Sequence, residues 1–423
     1  MQGYGAPMGG VRSIVAATLL LAAVVAAGCG GSSSGGTPTL NLWVFNEPSG
    51  AFTDAIANCN KQSHGAYKIV FNALSNNADA QRQALVRRLA AKDSSIDLMG
   101  MDVIWTAEFA DAGWIKPFPA RYADQIKRGT LAGPLKTATW QGKLYAAPAN
   151  TNTQLLWYRK DIVKNPPKTW DGLISAAEKI GGKLGHVEIQ GAQYEGVTVW
   201  FNSLVAGAGG TILGPSGRTV TVGPTAQRAA QIMSRLAHSS AADPSLASQK
   251  EDQNRLAFEQ GSAAFEVNYP FIYPSAKADD PKLFKKIGWA PYPRTDPNKP
   301  ERAPVGGINW GVGGYTQHPN QAFAAAACMR NLQNQRIAAL KGGLPPTLAK
   351  LYDTPGFVKS YPFAALIRHE VNTGAVRPKS PAYADVSLAI AKTVSPPSSI
   401  NVKSVVSDLR SLIKDALNSQ ALL

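Results

Sequence analysis

A mixed α/β fold built around a parallel sheet is what this 423-residue sequence predicts. Three observations carry that expectation. From residue 39 onward, segments with strand periodicity alternate with segments of helical periodicity, the order that places helices on both faces of a parallel sheet. Hydrophobic residues make up 44% and charged residues 17% of the chain, so large cores can form. The length suffices for two or three domains.

The elements follow in order. TLNLWVF (39–45) alternates as a strand, and AFTDAIANCNKQ (51–62) has helical spacing with Phe52, Ile56 and Cys59 on one face. YKIVFNAL (67–74) reads as a second strand. DAQRQALVRRLAAKDSS (79–95) reads as a helix that turns Ala84, Leu85, Leu89 and Ala90 inward. IDLMGMDVIW (96–105) is a third strand, and TAEFADAGW opens the next helix. LLWYR (155–159) is a strand that Pro166 and Pro167 are expected to end, since proline cannot donate to a ladder. Helices are expected at TWDGLISAAEKIG, TVWFNSLVAGAG, TAQRAAQIMSRLA and EDQNRLAFEQG, with short strands VEIQG and AAFEVN between them. The stretch 288–314 is rich in proline and glycine and reads as a crossing segment outside the core. Further helices are expected at NQAFAAAACMRNLQNQ and VKSVVSDLRSLIKDAL.

Charge and the chain's beginning narrow the class. Lys and Arg total 43 against 28 Asp and Glu, a net charge of +15. The positive charges are spread and not interleaved with aromatics, which favours a solvated basic surface facing anionic envelope polymers or lipid headgroups over a nucleic-acid partner. Arg12 precedes an uncharged run from Ile14 to Ala27, too short to span a bilayer comfortably and suited to a signal-peptide core. Small residues then lead to Cys29, which resembles a bacterial lipobox. Ala26 departs from it, standing where a larger aliphatic residue is usual. Cys29 is therefore the expected lipidation site, and the Gly/Ser stretch after it a flexible tether. This places the chain on the extracytoplasmic face of the cell membrane. Cys59 and Cys328 remain, and outside the cytoplasm such a pair reads as a disulfide. His64, His186, His238, His318 and His369 are not spaced as metal ligands, so neither a metal nor another cofactor is expected.

Four stretches carry a resemblance: LYAAPANTNTQLLWYRKDIVKNPPKTWDGL, RLAFEQGSAAFEVNYP, GGINWGVGG followed by a helix, and GGLPPTLAKLY. In this order they resemble the maltose- and trehalose-binding proteins of bacterial ABC importers, over most of residues 40–423. MDVIWTAEFADAGW, NTNTQLLWYR, VWFNSL and AVRPKSPAY are similar to the actinobacterial trehalose-binding lipoproteins within that family. The resemblance implies a two-lobed periplasmic-binding-protein fold with hinge crossings and a ligand cleft between the lobes. Its implied boundaries are a signal peptide (1–28), a lipidated cysteine and tether (29–39), lobe 1 (40–150 and 310–355) and lobe 2 (151–305 and 356–423). It also implies a monomer that docks on permease subunits in the membrane, and a Cys59–Cys328 bridge between two helices of lobe 1.

The candidate binding residues follow from the same match. Asn150, Asn152 and Gln154 are amides expected in the hinge and facing the cleft, with Asn152 at a sugar-contacting position; the alternative is a turn amide. Asp102, at a strand end, suits two sugar hydroxyls or a helix N-cap. Glu195 and Glu251 each open a helix, where a carboxylate is also favourable without any ligand. Tyr269 stands where the family presents an aromatic ring, often Trp, to the apolar face of a pyranose; a core ring is the alternative. Gly306 and Gly307 let backbone approach a ligand closely or simply form a hinge. Arg377 resembles the family's cleft arginine, whose planar fork can grip vicinal hydroxyls. Asn46 and Glu47, after the first strand, are weaker matches.

The function this implies is capture of a disaccharide, trehalose in the first place and maltose, maltodextrin or another glucoside in the second. A secreted glycoside hydrolase would need a carboxylate pair of the kind Asp102, Glu195 and Glu251 could supply, but no hydrolase motif accompanies them.

Overall fold

The structure is a computed structural model that describes residues 36–47 and 49–418. The signal segment, Cys29 and most of the tether lie outside these residues. Among the described residues, no helix is long and apolar enough to cross a membrane.

The strands, in chain order, are β1 (Thr39–Phe45), β2 (Lys68–Leu74), β3 (Leu98–Asp102), β4 (Thr139–Trp140), β5 (Lys143–Leu144) and β6 (Ala146–Asn152). They continue with β7 (Leu155–Arg159), β8 (Val187–Glu188), β9 (Phe265–Asn268), β10 (Ile287–Ala290), β11 (Pro304–Val312) and β12 (Ala375–Val376). A six-stranded sheet runs β12-β11-β3-β1-β2, with β6 also paired to β11. A four-stranded sheet runs β10-β7-β9-β8, and β4 and β5 pair alone.

In the first sheet, β2, β1 and β3 are parallel, as the alternation predicts. Leu40, Leu42 and Val44 on β1 point into the core, matching the period-two pattern of that strand. The helix Ala51–Gln62 buries Phe52, Ile56 and Cys59, also as its spacing predicts. The helix Ala78–Ala90 differs in part: it buries Leu85 and Leu89, but Gln81 is the third inward residue and Ala90 is exposed. A 3.6-residue period sets an inward stripe through 81, 85 and 89, and Ala90 falls off it.

The stretch 288–314 is the largest departure from expectation. It holds β10 and the nine-residue β11, which is paired antiparallel to β3 on one side and to β6 on the other. Trp310 and Val312 on β11 are core residues. Glycine and proline mark loops in general. Here Pro304 occupies the first strand position, where no ladder donor is lost. Gly311 lets the strand lie against Met101, whose Cε would sit 2.8 Å from an added Cβ. Similarly, NQAFAAAACMRNLQNQ is not one helix. It divides into Pro319–Met329 and Leu332–Gly342, and Asn331 caps the second by accepting from the Asn334 N–H at 2.9 Å.

The second sheet is covered on both faces. On β7, Leu155 and Trp157 enter one apolar cluster with Phe258, Ile272, Ile287 and Phe363. Leu156 enters the opposite cluster with Trp170, Trp200, Phe201, Phe265 and Val267. The strand ends at Arg159, whose guanidinium turns back onto Asp161 at 2.8 Å, well before Pro166. A third cluster packs the first sheet around Trp105, Phe109, Phe323 and Trp310. The chain passes from the first sheet to the second between β6 and β7, and returns between β10 and β11.

Cys59 and Cys328 form a disulfide, with Cα atoms 5.8 Å apart, joining the helices Ala51–Gln62 and Pro319–Met329 across a sequence separation of 269. Closing so long a loop restricts the unfolded chain. Cys328→Ser is expected to lower unfolding free energy by about 2–4 kcal/mol in urea titrations, and an unchanged midpoint would contradict this.

Glu370 in the helix Ala364–Thr373 is fully buried, accepts from the Tyr292 N–H at 3.1 Å and leaves Oε2 without a partner. Burial pushes its carboxyl from 4.5 up to about 8. The native state therefore holds a proton that the unfolded chain releases between those values. Stability is full below the unfolded value and falls as pH rises toward 8. Glu370→Gln keeps the acceptor without the charge, so it is expected to be more stable than the parent at pH 8 and to flatten this slope. Equal slopes in denaturant titrations across that range would refute the assignment.

Candidate functional site

Two adjoining chambers lie between the sheets. The first, about 400 Å³, is lined by Asp102, Asn152, Glu195, Glu251, Tyr269, Gly306, Gly307 and Arg377, together with Asn76, Asn77, Asn150, Tyr194 and Lys250. The second, about 410 Å³, shares Ala78, Asp79, Asp102, Tyr194 and Glu195 with the first and extends past Trp105, Glu108, Gln193, Tyr383 and Ser387.

The elements explain why these residues meet. Asp102 ends β3, at the carboxyl edge where ligands of parallel sheets sit. Its Oδ1 accepts from the Ile104 N–H at 3.2 Å. Asn150 and Asn152 lie on β6, opposite Ile308 and Gly306 of β11. Glu195 opens the helix Glu195–Gly207 and Glu251 opens Glu251–Glu259, so two helix N-termini face the chamber. Tyr269 directly follows β9. Arg377 directly follows β12.

Arg377 is the centre of the arrangement. Only 6% exposed, it donates from Nη1 to Glu195 Oε1 at 2.7 Å and from Nη2 to Asp102 Oδ1 at 3.1 Å. Burial works against its charge, but Asp102 and Glu195 outweigh that and hold the guanidinium well above its ordinary value. Glu195 is pushed upward by burial, opposed by Arg377, Ser387 and Tyr383. Its Oε1 also accepts from the Tyr383 hydroxyl at 2.5 Å, and its Oε2 accepts from the Ser387 hydroxyl. Burial likewise raises Glu251 and the Tyr269 hydroxyl.

The glycines are not equivalent. Gly307 has φ +127, and a Cβ there would lie 2.3 Å from the Asn150 carbonyl oxygen. Gly306 has open space, with Asn152 Cβ at 3.8 Å and Arg377 Nη2 at 3.9 Å from an added Cβ. Gly307 is thus needed by the strand crossing, and Gly306 by the chamber.

Some expectations part from the structure. Asn46 and Glu47 are not among the lining residues. Asn46 is exposed, and Glu47 caps the helix Ala51–Gln62: its Oε2 accepts from the Ser49 hydroxyl at 2.6 Å and the Ala51 N–H at 2.9 Å. The amides of 150–154 do not all face the cleft. Asn150 and Asn152 do, but Gln154 is buried and donates to Gln190 Oε1 at 2.7 Å, inside the second lobe. Side chains alternate along an extended chain, yet β6 ends at Asn152 and β7 begins at Leu155, so the period breaks before Gln154. Sequence reasoning passed over Tyr194, whose hydroxyl is buried without a partner, and Lys250, whose ammonium stands 5.2 Å from the Tyr194 ring centroid. Gly196 was the available signal, because a Cβ there would meet the Tyr194 hydroxyl at 2.1 Å. Away from the cleft, His186, Glu188 and Asp243 bring potential ligand atoms within 4.8 Å of one another.

A family model described as bacterial extracellular solute-binding protein matches residues 45–336. The chain belongs to the bacterial extracellular solute-binding protein family. Among relatives of this solute-binding protein, a probable ABC transporter-binding protein of Deinococcus radiodurans is 30% identical over 318 residues, covering 71% of this chain and 73% of that one. Among solved structures, T. maritima MalE3 with bound maltose superposes with a TM-score of 0.77 at 24% identity, covering 90% of this chain and 98% of that one. The GacH receptor of Streptomyces glaucescens, determined unliganded and with acarbose, gives a TM-score of 0.77 at 22% identity, covering 91% and 100%. This solute-binding protein therefore has their two-lobed α/β fold.

Gly307→Ala is expected to destabilise the protein by about 1–3 kcal/mol, the usual range for backbone strain of this kind, while Gly306→Ala leaves the unfolding midpoint near that of the parent. Paired thermal melts decide this; equal effects of the two substitutions would contradict the distinction.

Proposed function

We propose that this solute-binding protein captures an uncharged disaccharide, trehalose by preference, and delivers it to the permease of an ABC sugar importer. In this reading the protein is a binding module without a cofactor, not an enzyme, lipidated and anchored through Cys29 on the extracytoplasmic face and monomeric before docking. Residues 40–150 and 310–355 form lobe 1, and residues 151–305 and 356–423 form lobe 2.

One observation carries the reading: the chamber's central cation is already neutralised. Arg377 lies between Asp102 and Glu195, so its guanidinium is already paired with two carboxylates and the site offers a fixed set of donors and acceptors. Such a set suits hydroxyl groups, and Tyr269 at the wall supplies an aromatic face for pyranose C–H groups. Discrimination among sugars would arise because a poorly matched hydroxyl leaves a buried polar group unpaired. The probable ABC transporter-binding relative and the maltose- and acarbose-bound structures support the importer role.

The adjoining chamber of about 410 Å³ favours a second reading, a longer glucoside of the maltodextrin type whose extra unit lies against Trp105 and Tyr383. Calorimetric titration with trehalose, maltose and maltotriose separates the two. Trehalose is expected to bind most tightly, and Asp102→Ala and Arg377→Ala are each expected to weaken it about 10- to 100-fold, as loss of charged hydrogen bonds does. Tighter binding of maltotriose would favour the second reading, and glucose release from trehalose would remove both.

A further inference from the structure

A second cluster of titratable side chains, outside the chamber lining, has a different chemistry. His186 is extended and directly precedes the short strand β8 (Val187–Glu188), so its side chain and that of Glu188, two residues on, leave the same face. The Val187 N–H donates to the Ala241 carbonyl at 2.9 Å, and Val187 bridges Ala242 in parallel, which sets Asp243 alongside. Potential ligand atoms of His186, Glu188 and Asp243 then fall within 4.8 Å of one another. His186 Nδ1 lies 3.4 Å from Asp243 Oδ2.

Each carboxylate has one oxygen held and the other left over. Asp243 Oδ1 accepts from the Ser245 N–H at 2.7 Å and from the Ser245 hydroxyl. Glu188 Oε2 accepts from Gln249 Nε2 at 2.5 Å. Glu188 is fully buried, and its Oε1 has no hydrogen-bond partner. Two carboxylates and an imidazole thus converge at one point. A proton shared between two carboxyls would need no third group at the same point, whereas a metal ion takes all three.

We propose that His186, Glu188 and Asp243 bind one divalent transition-metal ion of the zinc class, through His186 Nδ1, Glu188 Oε1 and Asp243 Oδ2. The imidazole argues for zinc-like ions over calcium or magnesium, which take oxygen ligands. The 3.4 Å separation of Nδ1 and Oδ2 is near the edge of about 3.3 Å that tetrahedral coordination gives at zinc bond lengths of about 2.0–2.1 Å. Ser245 and Gln249 orient the carboxylates as outer partners of a metal site do. The His186 and Asp243 side chains keep 14% and 15% exposure, so an ion can reach the cluster from solvent.

The test uses the full chain, stripped with chelator and titrated with Zn²⁺, Co²⁺ and Ca²⁺. One Zn²⁺ per chain is expected to bind at micromolar levels or tighter and to raise the melting temperature. Co²⁺ is expected to give the visible absorption of a tetrahedral site, and Ca²⁺ no effect. His186→Ala and Asp243→Asn, each of which removes a ligand atom, are expected to weaken zinc by more than the about 10- to 100-fold that loss of an outer partner costs, with metal-free melting close to that of the parent. Glu188→Gln, which keeps the shape of the side chain, is expected to lose zinc affinity too. Absence of zinc binding, or zinc binding that survives the His186 and Asp243 substitutions, would overturn the proposal.

Discussion

The architecture turns on one buried cation. Arg377 leaves water to sit between Asp102 from the first sheet and Glu195 from a helix packed on the second. Desolvating a guanidinium is strongly unfavourable unless it is paired and hydrogen-bonded. Here both carboxylates meet it, and Tyr383 and Ser387 satisfy the remaining lone pairs of Glu195. The same contacts that make the burial tolerable tie the two lobes together at the floor of the chamber. The group that pairs with both carboxylates is thus also the group that spans the site.

The strands that cross between lobes share this double role. β6 and β11 run side by side, and Gly307 lets their backbones approach where a side chain would clash with Asn150. Just beyond, a row of buried amides continues into the second lobe. Gln154 donates to Gln190, Gln190 to Asn254, Asn254 to Gln249, and Gln249 to Glu188. Every amide in this row points its N–H groups the same way, ending on a carboxylate, an arrangement in which successive dipoles reinforce one another. It links the hinge to the cluster around His186 through side chains alone.

Much of the first lobe was legible from local pattern. β1, β2 and β3 alternate or run apolar as strands beneath helices do, and the helix Ala51–Gln62 shows its inward face at Phe52, Ile56 and Cys59. The later elements were read less well. In the second sheet VEIQG and AAFEVN shorten to two and four residues, and in the first sheet β11 was hidden by its own glycines and prolines. Those residues signal turns when neighbours are unknown, whereas in the folded chain they admit Met101 and the β6 backbone. Glu47 shows the opposite error. A carboxylate after a strand suggested a ligand contact, and its partners proved to be the adjacent helix N–H and Ser49.

By itself the sequence determined the class of fold, the residue types suited to binding hydroxyls, and the periodic faces that pack each helix and strand, because these depend on neighbours within a turn or two. Tertiary structure alone decided which charges meet. Arg377 reaches Asp102 across a separation of 275 residues and Glu195 across 182. His186 and Glu188 join Asp243 only because β8 pairs with the segment around Ala242. No local period encodes such meetings: they arise when separate elements are brought into register, and there burial makes each pairing strong enough to matter.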